Sequence, residues 1–544
     1  MKFESRAFRP PASGWARACV ALLLCLLCTT APAAPDAVEP RETVRRATEQ
    51  LRSTGKVIVA GQAIRSRDAL PRIYEARSFR LLWTDRANIE ALLGELAAAA
   101  GDGLDPSDYH FEPLRALLER HRDEPDNANL AASADLLLTD ALVRIAAHYY
   151  RGKVDLEAGK PRWDLDGLVR GEPAAVVLTR IATGSAVALQ LRELRPVQPL
   201  YGRMKSALAR YRILELEGGW EPVPPGRALQ LGMEDPRVPL VRRRLEETGD
   251  FRGEMADSPR FEQLLDEAVR RFQQRMGLHV DGIIGPATLR ELNRPVGERI
   301  ATLRANLERA RWMLGTVRGR FLLLDPASER VVLMDNSQPL LELDARFSPL
   351  ARGVSEFRTQ MDYFVVHPDW VLPQALVESQ VAPLARRSAA ALPDQGMEVF
   401  DLANRPLEPA VVDWRDPSSV IVRQLPAPGS FLGVLRFPVS GRPELFLHGP
   451  PREGEGIPGS IRLEDAQRLA RALFVPTGPW SEEQLGAALA ADRTRTFTLG
   501  TPLPVIHAPW TAWVETDGRT YFRAGFDEVD DAIIAQLRRP PAAD

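Results

Sequence analysis

The sequence predicts a multidomain α+β protein, helical in its N-terminal part and β-rich in its C-terminal part. Two patterns predict this fold class. Apolar residues recur at helical spacing of three and four as far as about residue 319. Beyond it, short alternating segments are separated by proline and glycine, as in strands. With 544 residues, the chain is also too long for a single hydrophobic core.

The first 33 residues have the features of an export signal. A basic segment with Lys2 and Arg6 precedes the unbroken apolar run Ala18–Cys28. The stretch "TTAPAAP" then offers a small-x-small cleavage site after Ala33. The apolar run is about half of the roughly 20 residues that a membrane-spanning helix needs. We therefore expect export and cleavage near Ala33, with no transmembrane segment in the mature chain. A retained N-terminal membrane anchor is the alternative.

The cysteines and the charge exclude several kinds of chemistry. Cys19, Cys25 and Cys28 are the three cysteines of the chain, and all lie within the expected signal. The cleaved protein would therefore have no disulfide and no catalytic thiolate. A net charge of -3 gives no indication of nucleic acid as a partner.

The N-terminal part predicts a helical support domain. Residues 34–65 are polar and flanked by proline, which indicates a flexible lead-in. Residues 66–216 carry repeated helical patterns, such as "DRANIEALLGELAAAAGDGLDP", without a cluster of acids, histidines or hydroxyls. The linker "EGGWEPVPPG" then separates this domain from the next one.

Residues 227–293 predict a small three-helix unit. The stretch "AVRRFQQRMGL" is followed by "VDGIIGPATLRELN", in which Pro286 stands at the first position of a helix. These residues resemble a peptidoglycan-binding domain. We expect a shallow groove between the "DGIIG" turn and the preceding helix, with Phe272, Asp281, Gly282 and Gly285 as binding residues. The alternative is a helical spacer.

A connecting helix is expected over 296–319, and a β-rich domain over 320–527. The stretch "RFLLLDPASERVVLMDN" predicts a hairpin, and a helical insert is expected near residues 373–391. Residues 528–544 are expected to form a C-terminal tail.

The β-rich domain contains a series of segments that point to one family. In order they are "DYFVVHPDWVLP" (362–373), "VDW" (412–414), "VRQLPAPGSFLGVLRFPV" (422–439), "FLHG" (446–449), "GSIRL" (459–463) and "WTAWVETDGRTYFR" (510–523). Together with "YEARSFRLLWTD" upstream, they resemble the long periplasmic L,D-transpeptidases. The resemblance implies a scaffold domain, a peptidoglycan-binding domain and a β-rich catalytic domain. It also implies a periplasmic protein with peptidoglycan as its partner.

The resemblance implies acyl transfer, in which a cysteine attacks a stem-peptide carbonyl and D-alanine leaves. The family motif reads Ser-(His or Ser)-Gly-Cys-(Val or Ile)-Arg, with an upstream histidine as base. His448 matches the base, Gly459 the glycine and Arg462 the arginine, whereas Ser460 stands at the cysteine position. Further departures are Ile457 and Pro458 in place of the polar pair, a short span after the histidine, and a missing threonine-proline.

Serine chemistry needs more than the motif provides. A serine hydroxyl requires a concerted base, a group that orients the base, and an oxyanion hole. Asp465 and Glu464 stand at the start of a predicted helix, where acids are favoured by the helix dipole. Trp370 is a candidate for a glycan- or peptide-binding groove, although tryptophans in β domains commonly belong to the core. The seven histidines show no paired spacing with acids, so neither a metal site nor a cofactor is expected.

Two hypotheses follow. In the first, the chain is a peptidoglycan-binding protein in cell-wall cross-linking or remodelling, degenerate in catalysis, with other cell-wall enzymes as further partners. In the second, it is an active transpeptidase that forms 3-3 cross-links with Ser460 as nucleophile and His448 as base.

Overall fold

The computed structural model describes residues 39–154, 173–253, 257–336, 338–427, 430–450, 457–474, 479–491, 493–523 and 527–540. The expected export signal, with its three cysteines and its cleavage site, lies outside these ranges. So do residues 451–456 of the glycine-rich span between His448 and Ser460.

The N-terminal domain is helical, as predicted, and has one hydrophobic core. Its central helix is buried along most of its length, and Asn127 caps its start by accepting from the N–H groups of Asn129 and Leu130. The helices are α1 (Pro40–Thr54), α2 (Ala69–Ala76), α3 (Arg86–Ala98), α4 (Phe111–Asp123), the central α5 (Ala128–Arg151), α6 (Ala174–Thr183), α7 (Val187–Glu193) and α8 (Pro199–Leu216); a short hairpin pairs β1 (Ile58–Val59) with β2 (Gln62–Ala63).

The expectation of a flexible lead-in over residues 34–65 was wrong for most of that segment. Helix α1 buries Val44, Thr48 and Leu51 against the helical core. The few apolar residues of this helix recur on one face, so a largely polar sequence still packs firmly. Residues 40–54 therefore pack with the helical domain.

The predicted three-helix unit is confirmed. It consists of α9 (Val238–Glu247), α10 (Gln263–Met276) and α11 (Pro286–Asn293), and Pro286 begins its helix as expected. An antiparallel bridge joins Leu229 to Ile284 and so closes the unit at its "DGIIG" turn.

The connecting helix α12 (Val296–Leu314) ends five residues before the predicted boundary at 319. It shares one core with the three-helix unit, α8 and the last part of the chain, as shown by the buried residues Phe272, Leu303, Phe522 and Ile533. The expectation of a C-terminal tail over residues 528–544 was wrong for residues 528–537. These residues belong to the helix α19 (Asp527–Leu537), which packs into this core through Ile533 and Leu537.

The C-terminal half is β-rich, as predicted. Its strands are β3 (Phe321–Asp325), β4 (Arg330–Asp335), β5 (Gln338–Phe347), β6 (Phe357–Val366), β7 (Trp370–Val371), β8 (Met397–Asp401), β9 (Pro406–Leu407), β10 (Val420–Gln424), β11 (Leu435–Pro438), β12 (Phe446–His448), β13 (Ser460–Leu463), β14 (Arg495–His507), β15 (Ala512–Val514) and β16 (Thr520–Phe522). The predicted hairpin is the antiparallel pair β3–β4.

Eight strands close into a barrel in the order β11-β12-β13-β5-β4-β3-β14-β6. Burial alternates along β5 from Leu341 to Phe347, as expected for a strand with one face in the barrel core. Leu447 and Ile461 are fully buried members of this core. The helices of this half are α13 (Pro349–Gly353), α14 (Gln374–Leu376), α15 (Ala382–Arg387), α16 (Ala391–Asp394), α17 (Ala466–Leu473) and α18 (Glu482–Ala490).

An inserted subdomain lies between β6 and β11. It contains a four-stranded sheet in the order β7-β10-β8-β9 and the helical segment 374–394, which the sequence predicts near 373–391. Its own core includes Val399 and Val422, and it extends to Phe446 and Ile457 of the barrel. The insert therefore packs against the barrel beside β12 and β13.

No helix among the described residues is both long enough and apolar enough to cross a membrane.

Candidate functional site

His448 and Ser460 lie on neighbouring strands of the barrel. Strands β12 and β13 are parallel, and their register places Ser460 opposite Phe446 and His448 opposite Arg462. Side chains alternate along a strand, and Leu447 and Ile461 point into the barrel core. His448, Ser460 and Arg462 therefore share the other face, which the insert covers.

The two predicted catalytic residues are deeply buried. His448 and Ser460 are each 2% exposed. Phe446 and Ile457, their neighbours in the chain, belong to the core of the insert together with Leu432 and Trp370. Among the described residues, the barrel and the insert thus leave almost none of the surface of His448 and Ser460 exposed.

The imidazole of His448 has no hydrogen bond of normal geometry among the described residues, although the backbone of Gly449 and Leu432 lies near enough to act on its pKa. Neither ring nitrogen has a partner among the described residues, so no bond joins His448 to Ser460. Burial lowers its pKa to about 4, the positive charge of Arg462 adds to this shift, and the backbone of Gly449 and Leu432 partly opposes it. A neutral imidazole can accept a proton, but a general base works best with a pKa near the operating pH.

Ser460 is held by its backbone rather than by its hydroxyl. Its N–H donates to the carbonyl of Ile457 at 3.0 Å, and its carbonyl accepts from the N–H of Ser348 at 3.0 Å. Its side chain makes no hydrogen bond within the described ranges, and no carboxylate there orients His448. The hydrogen-bonded chain that activates a serine is therefore not assembled between these residues.

Gly459 shapes the backbone before the nucleophile position. Its φ is +77°, and a Cβ at this residue would lie 1.8 Å from the carbonyl oxygen of Glu444. A glycine is therefore required for both conformation and space. This requirement concerns the approach of two chain segments and not a reaction step.

The remaining polar candidates have structural contacts. The Asp465 side chain accepts from the N–H of Arg468 and caps α17, as the predicted helix start implies. His507 stacks on Phe357 and its Nε2 lies 3.1 Å from the carbonyl of Ala351. His367 contacts the carbonyl of Leu489 through Nε2.

Trp370 is a poor candidate for an open groove, because it is only 7% exposed. It packs edge-on against Phe446, with a distance of 5.9 Å between the ring centroids. Its Nε1 has no partner among the described residues. Trp370 therefore contacts the buried face that carries His448 and does not line an open surface.

In the three-helix unit, the "DGIIG" turn is bound to α10 by the amide of Gln273. Its Oε1 accepts from the N–H groups of Asp281 and Gly282, and its Nε2 donates to Asp281 Oδ1. Gly282 has φ +74°, and a Cβ there would meet Asp266 Oδ1 at 2.1 Å. Asp281 accepts from the N–H of Ile283 within the turn.

Phe272, which the sequence predicts as a binding residue, does not reach the surface of the domain. Its side chain is fully buried in the core shared with the connecting helix. Gly285 precedes α11 at the N-cap, and the space that a Cβ would occupy there is open. The turn is thus shaped by Asp281, Gly282 and Gly285. Two exposed apolar side chains, Leu231 and Val280, lie close to this turn.

The sequence did not point to two residues that contact the predicted sites, Gln273 and Arg436. Gln273 is one of two adjacent glutamines in "RRFQQRMGL", and nothing in that pattern shows which amide reaches the turn. Arg436 lies on β11 opposite His448. Its place in "FLGVLRFPV" is typical of an alternating strand, but its neighbour across the sheet depends on the register.

Comparisons with known proteins match two parts of the chain. A model of the scaffold domain family matches residues 68–208, and a model of a peptidoglycan binding domain family matches residues 234–292. No curated protein matches the chain.

Among solved structures, the chain is similar to an L,D-transpeptidase from Xylanimonas cellulosilytica at 14% identity, over 53% of this chain and 100% of that chain, with a TM-score of 0.16. An L,D-transpeptidase from Stackebrandtia nassauensis aligns at 12% identity, over 52% and 97%, with a TM-score of 0.17. A fused Zn-dependent amidase/peptidase with a peptidoglycan-binding domain from Clostridium acetobutylicum aligns at 11% identity, over 52% and 100%, with a TM-score of 0.15.

The two family matches fall within the domains predicted over 66–216 and 227–293. The chain therefore contains a scaffold domain followed by a peptidoglycan-binding domain, which supports peptidoglycan as its partner.

Proposed function

We propose that the protein is an exported peptidoglycan-binding member of the L,D-transpeptidase family that has lost turnover. It binds the wall through its three-helix domain and acts in cell-wall cross-linking or remodelling as a scaffold or regulator of active enzymes. The match to a peptidoglycan binding domain family over residues 234–292 supports the binding part of this proposal.

One observation carries the proposed loss of turnover. No hydrogen bond joins His448 to Ser460, and the buried imidazole has a pKa of about 4. A family cysteine is a nucleophile as its thiolate, whereas serine depends on proton removal during attack. Among the described residues, the weak base His448 forms no hydrogen bond to Ser460 and has no carboxylate to orient it, so Ser460 lacks the groups that activate a serine hydroxyl.

A serine acyltransferase is the second candidate. It is favoured by the register, because His448 and Ser460 share one face of two adjacent strands. Movement of the insert away from this face would open the site and allow the two side chains to approach.

Sacculus sedimentation tests the binding part of the proposal. The protein without residues 1–33 is incubated with purified sacculi containing tetrapeptide stems, and the pellet and released D-alanine are measured. We expect the protein in the pellet without D-alanine release. Protein that stays in the supernatant would contradict wall binding, and D-alanine release would contradict the loss of turnover.

A further inference from the structure

A groove lies on the outside of the barrel, where the helical domain and the connecting helix meet it. It is bounded by the start of α8, the end of α12, the strands β3 and β4, and the strand β15. Its apolar lining includes Leu200, Leu314, Phe321, Leu323, Val332 and Met334. None of the described residues that line it belongs to the motif, the insert or the three-helix unit. The groove is therefore separate from both predicted sites.

The floor of the groove is the outer face of two barrel strands. Leu322 and Leu333 point into the barrel core. Because side chains alternate along a strand, their neighbours Leu323 and Val332 point outwards, and the register places these two residues directly opposite each other. The strand register thus builds an apolar floor on the side of the barrel that faces the helices.

Two buried side chains of the lining each have a polar atom without a hydrogen-bond partner. Gln198 is 4% exposed and Trp510 is 2% exposed. The Nε2 of Gln198 donates to the carbonyl of Val317 at 2.9 Å, which fixes the orientation of the amide and leaves its Oε1 as an acceptor without a partner among the described residues. The indole Nε1 of Trp510 is a donor without a partner in the same part of the chain. Such atoms are normally paired when buried, so the groove offers one unused acceptor and one unused donor.

The buried acid of the lining is already engaged. The Oδ1 of Asp325 accepts from the backbone N–H groups of Ala327 and Trp510, each at 3.0 Å. Its Oδ2 accepts from the hydroxyl of Ser328. Asp325 therefore holds the segment that carries Trp510 and is not a free carboxylate for a cationic ligand.

The charges at the rim balance each other. Arg330 lies 3.3 Å from Glu342 and 3.9 Å from Glu515. Arg203 donates to the backbone carbonyl of Val514 at 2.7 Å. Since the rim has two arginines and two glutamates, it attracts neither anions nor cations strongly, and a neutral ligand fits it best.

The size of the groove limits what enters it. Its cavity measures about 120 Å³. An apolar cavity of roughly 150 Å³ can hold benzene, so this one accommodates a single aliphatic side chain. Gln338, Pro339 and Thr516 at its mouth are exposed. One apolar group can therefore enter while the rest of a longer molecule stays at the surface.

We propose that this groove binds a neutral peptide unit with an aliphatic side chain, presented by an extended segment of a partner protein. The side chain fills the cavity, the peptide N–H donates to Gln198 Oε1, and the peptide carbonyl accepts from Trp510 Nε1. A peptide group fits because it is uncharged and has one donor and one acceptor. An apolar anchor in a pocket with a polar rim is the usual form of a binding hot spot. This inference rests on the scaffold role within the proposed function and does not depend on wall binding.

Nuclear magnetic resonance of the indole N–H groups tests the inference. The protein without residues 1–33 is titrated with N-isopentylacetamide and with isopentyl acetate, an ester of the same shape that lacks the N–H. The Trp510 resonance is identified by its loss in Trp510→Phe. We expect the amide to shift it downfield in a saturable way, with an affinity on the order of millimolar, and the ester to bind at least about fivefold more weakly. The indole of Trp83, which already donates to Thr139, should not shift.

Two variants test the cavity and the donor. Val332→Trp fills the cavity and should weaken binding of the amide at least about tenfold. The matched control is Val411→Trp, at a site in the insert that is 73% exposed, and it should bind the amide unchanged. Trp510→Phe keeps a ring but removes the unpaired N–H, so ligand-observed resonance should show at least about threefold weaker binding. A purely structural role of Trp510 predicts no change in affinity when the variant remains folded.

A blocked pentapeptide tests the source of the ligand. Acetyl-Gly-Gly-Leu-Gly-Gly-amide should shift the Trp510 resonance with an affinity at least equal to that of N-isopentylacetamide. If only the small amide binds, the groove takes small molecules and the protein partner is wrong. The comparison of amide with ester needs no variant, and equal affinity for the two would overturn the inference. The absence of a saturable shift at Trp510 would do the same.

Sacculus sedimentation separates this inference from the proposed wall binding. If the protein sediments with sacculi but neither the amide nor the pentapeptide binds, only the groove is wrong. If these ligands bind but the protein does not sediment, wall binding fails and the groove stands. Val332→Trp should sediment like the unchanged protein. Its loss from the pellet would assign the groove to wall binding and contradict a protein partner.

Discussion

His448 lies directly opposite Arg462 on the adjacent parallel strand, while Ser460 lies opposite Phe446, two residues earlier. The predicted base is therefore paired in register with an arginine and not with the predicted nucleophile. Arg462 contributes to the low pKa of His448, because its positive charge disfavours the imidazolium. The motif is present in order, but neither the strand register nor the packing brings His448 into a hydrogen bond with Ser460.

We predict that Ser460→Cys does not restore acyl transfer. Burial raises the pKa of a thiol, and the neutral His448 neither supplies a charge nor forms a hydrogen bond to position 460. A chain that starts at residue 34 would contain this thiol alone, so intact mass after incubation with a carbapenem reports on one site. We expect no adduct, with thiol titration after denaturation as the control. A stoichiometric adduct would show that the pocket survives and only the nucleophile has changed.

We predict that Gly459→Ala destabilises the barrel by about 2 kcal/mol or more, because it combines positive φ with a backbone clash. Gly441→Ala is a matched control, with φ +70° and open space around its Cβ position. It should cost only about 1 kcal/mol. Calorimetry of both variants measures the difference. Equal effects would contradict the close approach of Glu444 to Gly459.

We predict that wall binding depends on the exposed apolar residues beside the "DGIIG" turn. Leu231 is 49% exposed and Val280 is 46% exposed, and the Leu229–Ile284 bridge brings their segments together. The double variant Leu231→Asp/Val280→Asp should sediment with sacculi at least about fivefold less, because burying either charge on binding is unfavourable.

The control for this prediction is Ile213→Asp, at an exposed site on α8 outside the three-helix unit. It should sediment like the unchanged protein. Point variants are preferable to deletion of the domain, because the domain shares its core with α8, α12 and α19. Unchanged sedimentation of the double variant would favour a spacer role for this domain.

We predict that acid destabilises the protein through buried histidines. His448 and His507 have pKa values of about 4 when folded, against about 6.5 in an unfolded chain. Between these values the unfolded state binds more protons, so stability falls as the pH drops from about 6.5 towards 4. At pH 5 each residue would cost up to about 2 kcal/mol.

Thermal unfolding at pH 7.5 and pH 5.0 measures this dependence. His448→Gln should lose less stability on acidification than the unchanged protein. His279→Gln removes a histidine whose side chain is 89% exposed and should behave like the unchanged protein. An identical acid effect in His448→Gln would contradict the low pKa of His448.

The parts of the fold with strong local signals were predictable from the sequence. The helix start at Pro286 is determined by residues that are close in the chain. The same holds for the turn that joins the two alternating runs at 321–335. Helix α1 was missed because a short apolar face in a polar segment gains its stability from the helices against which it packs.

The site was predictable as a set of residues but not as an arrangement. Periodicity identified Phe272 correctly as part of one helix face, but it does not show whether that face meets ligand or core. The alignment of Arg436, His448 and Arg462 across the barrel depends on the register of the strands β11, β12 and β13. Register depends on which face of each strand packs into the core and on how the strands are connected, and one segment of sequence alone does not show which residue of the next strand lies opposite.

Mass spectrometry of muropeptides tests the central claim most directly. The protein without residues 1–33 is incubated with sacculi rich in tetrapeptide stems, and the digested products are compared with those of Ser460→Ala. The account predicts identical profiles, with no 3-3 cross-linked dimers from either protein. Dimers that form with the unchanged protein and disappear with Ser460→Ala would contradict it and establish a serine transpeptidase.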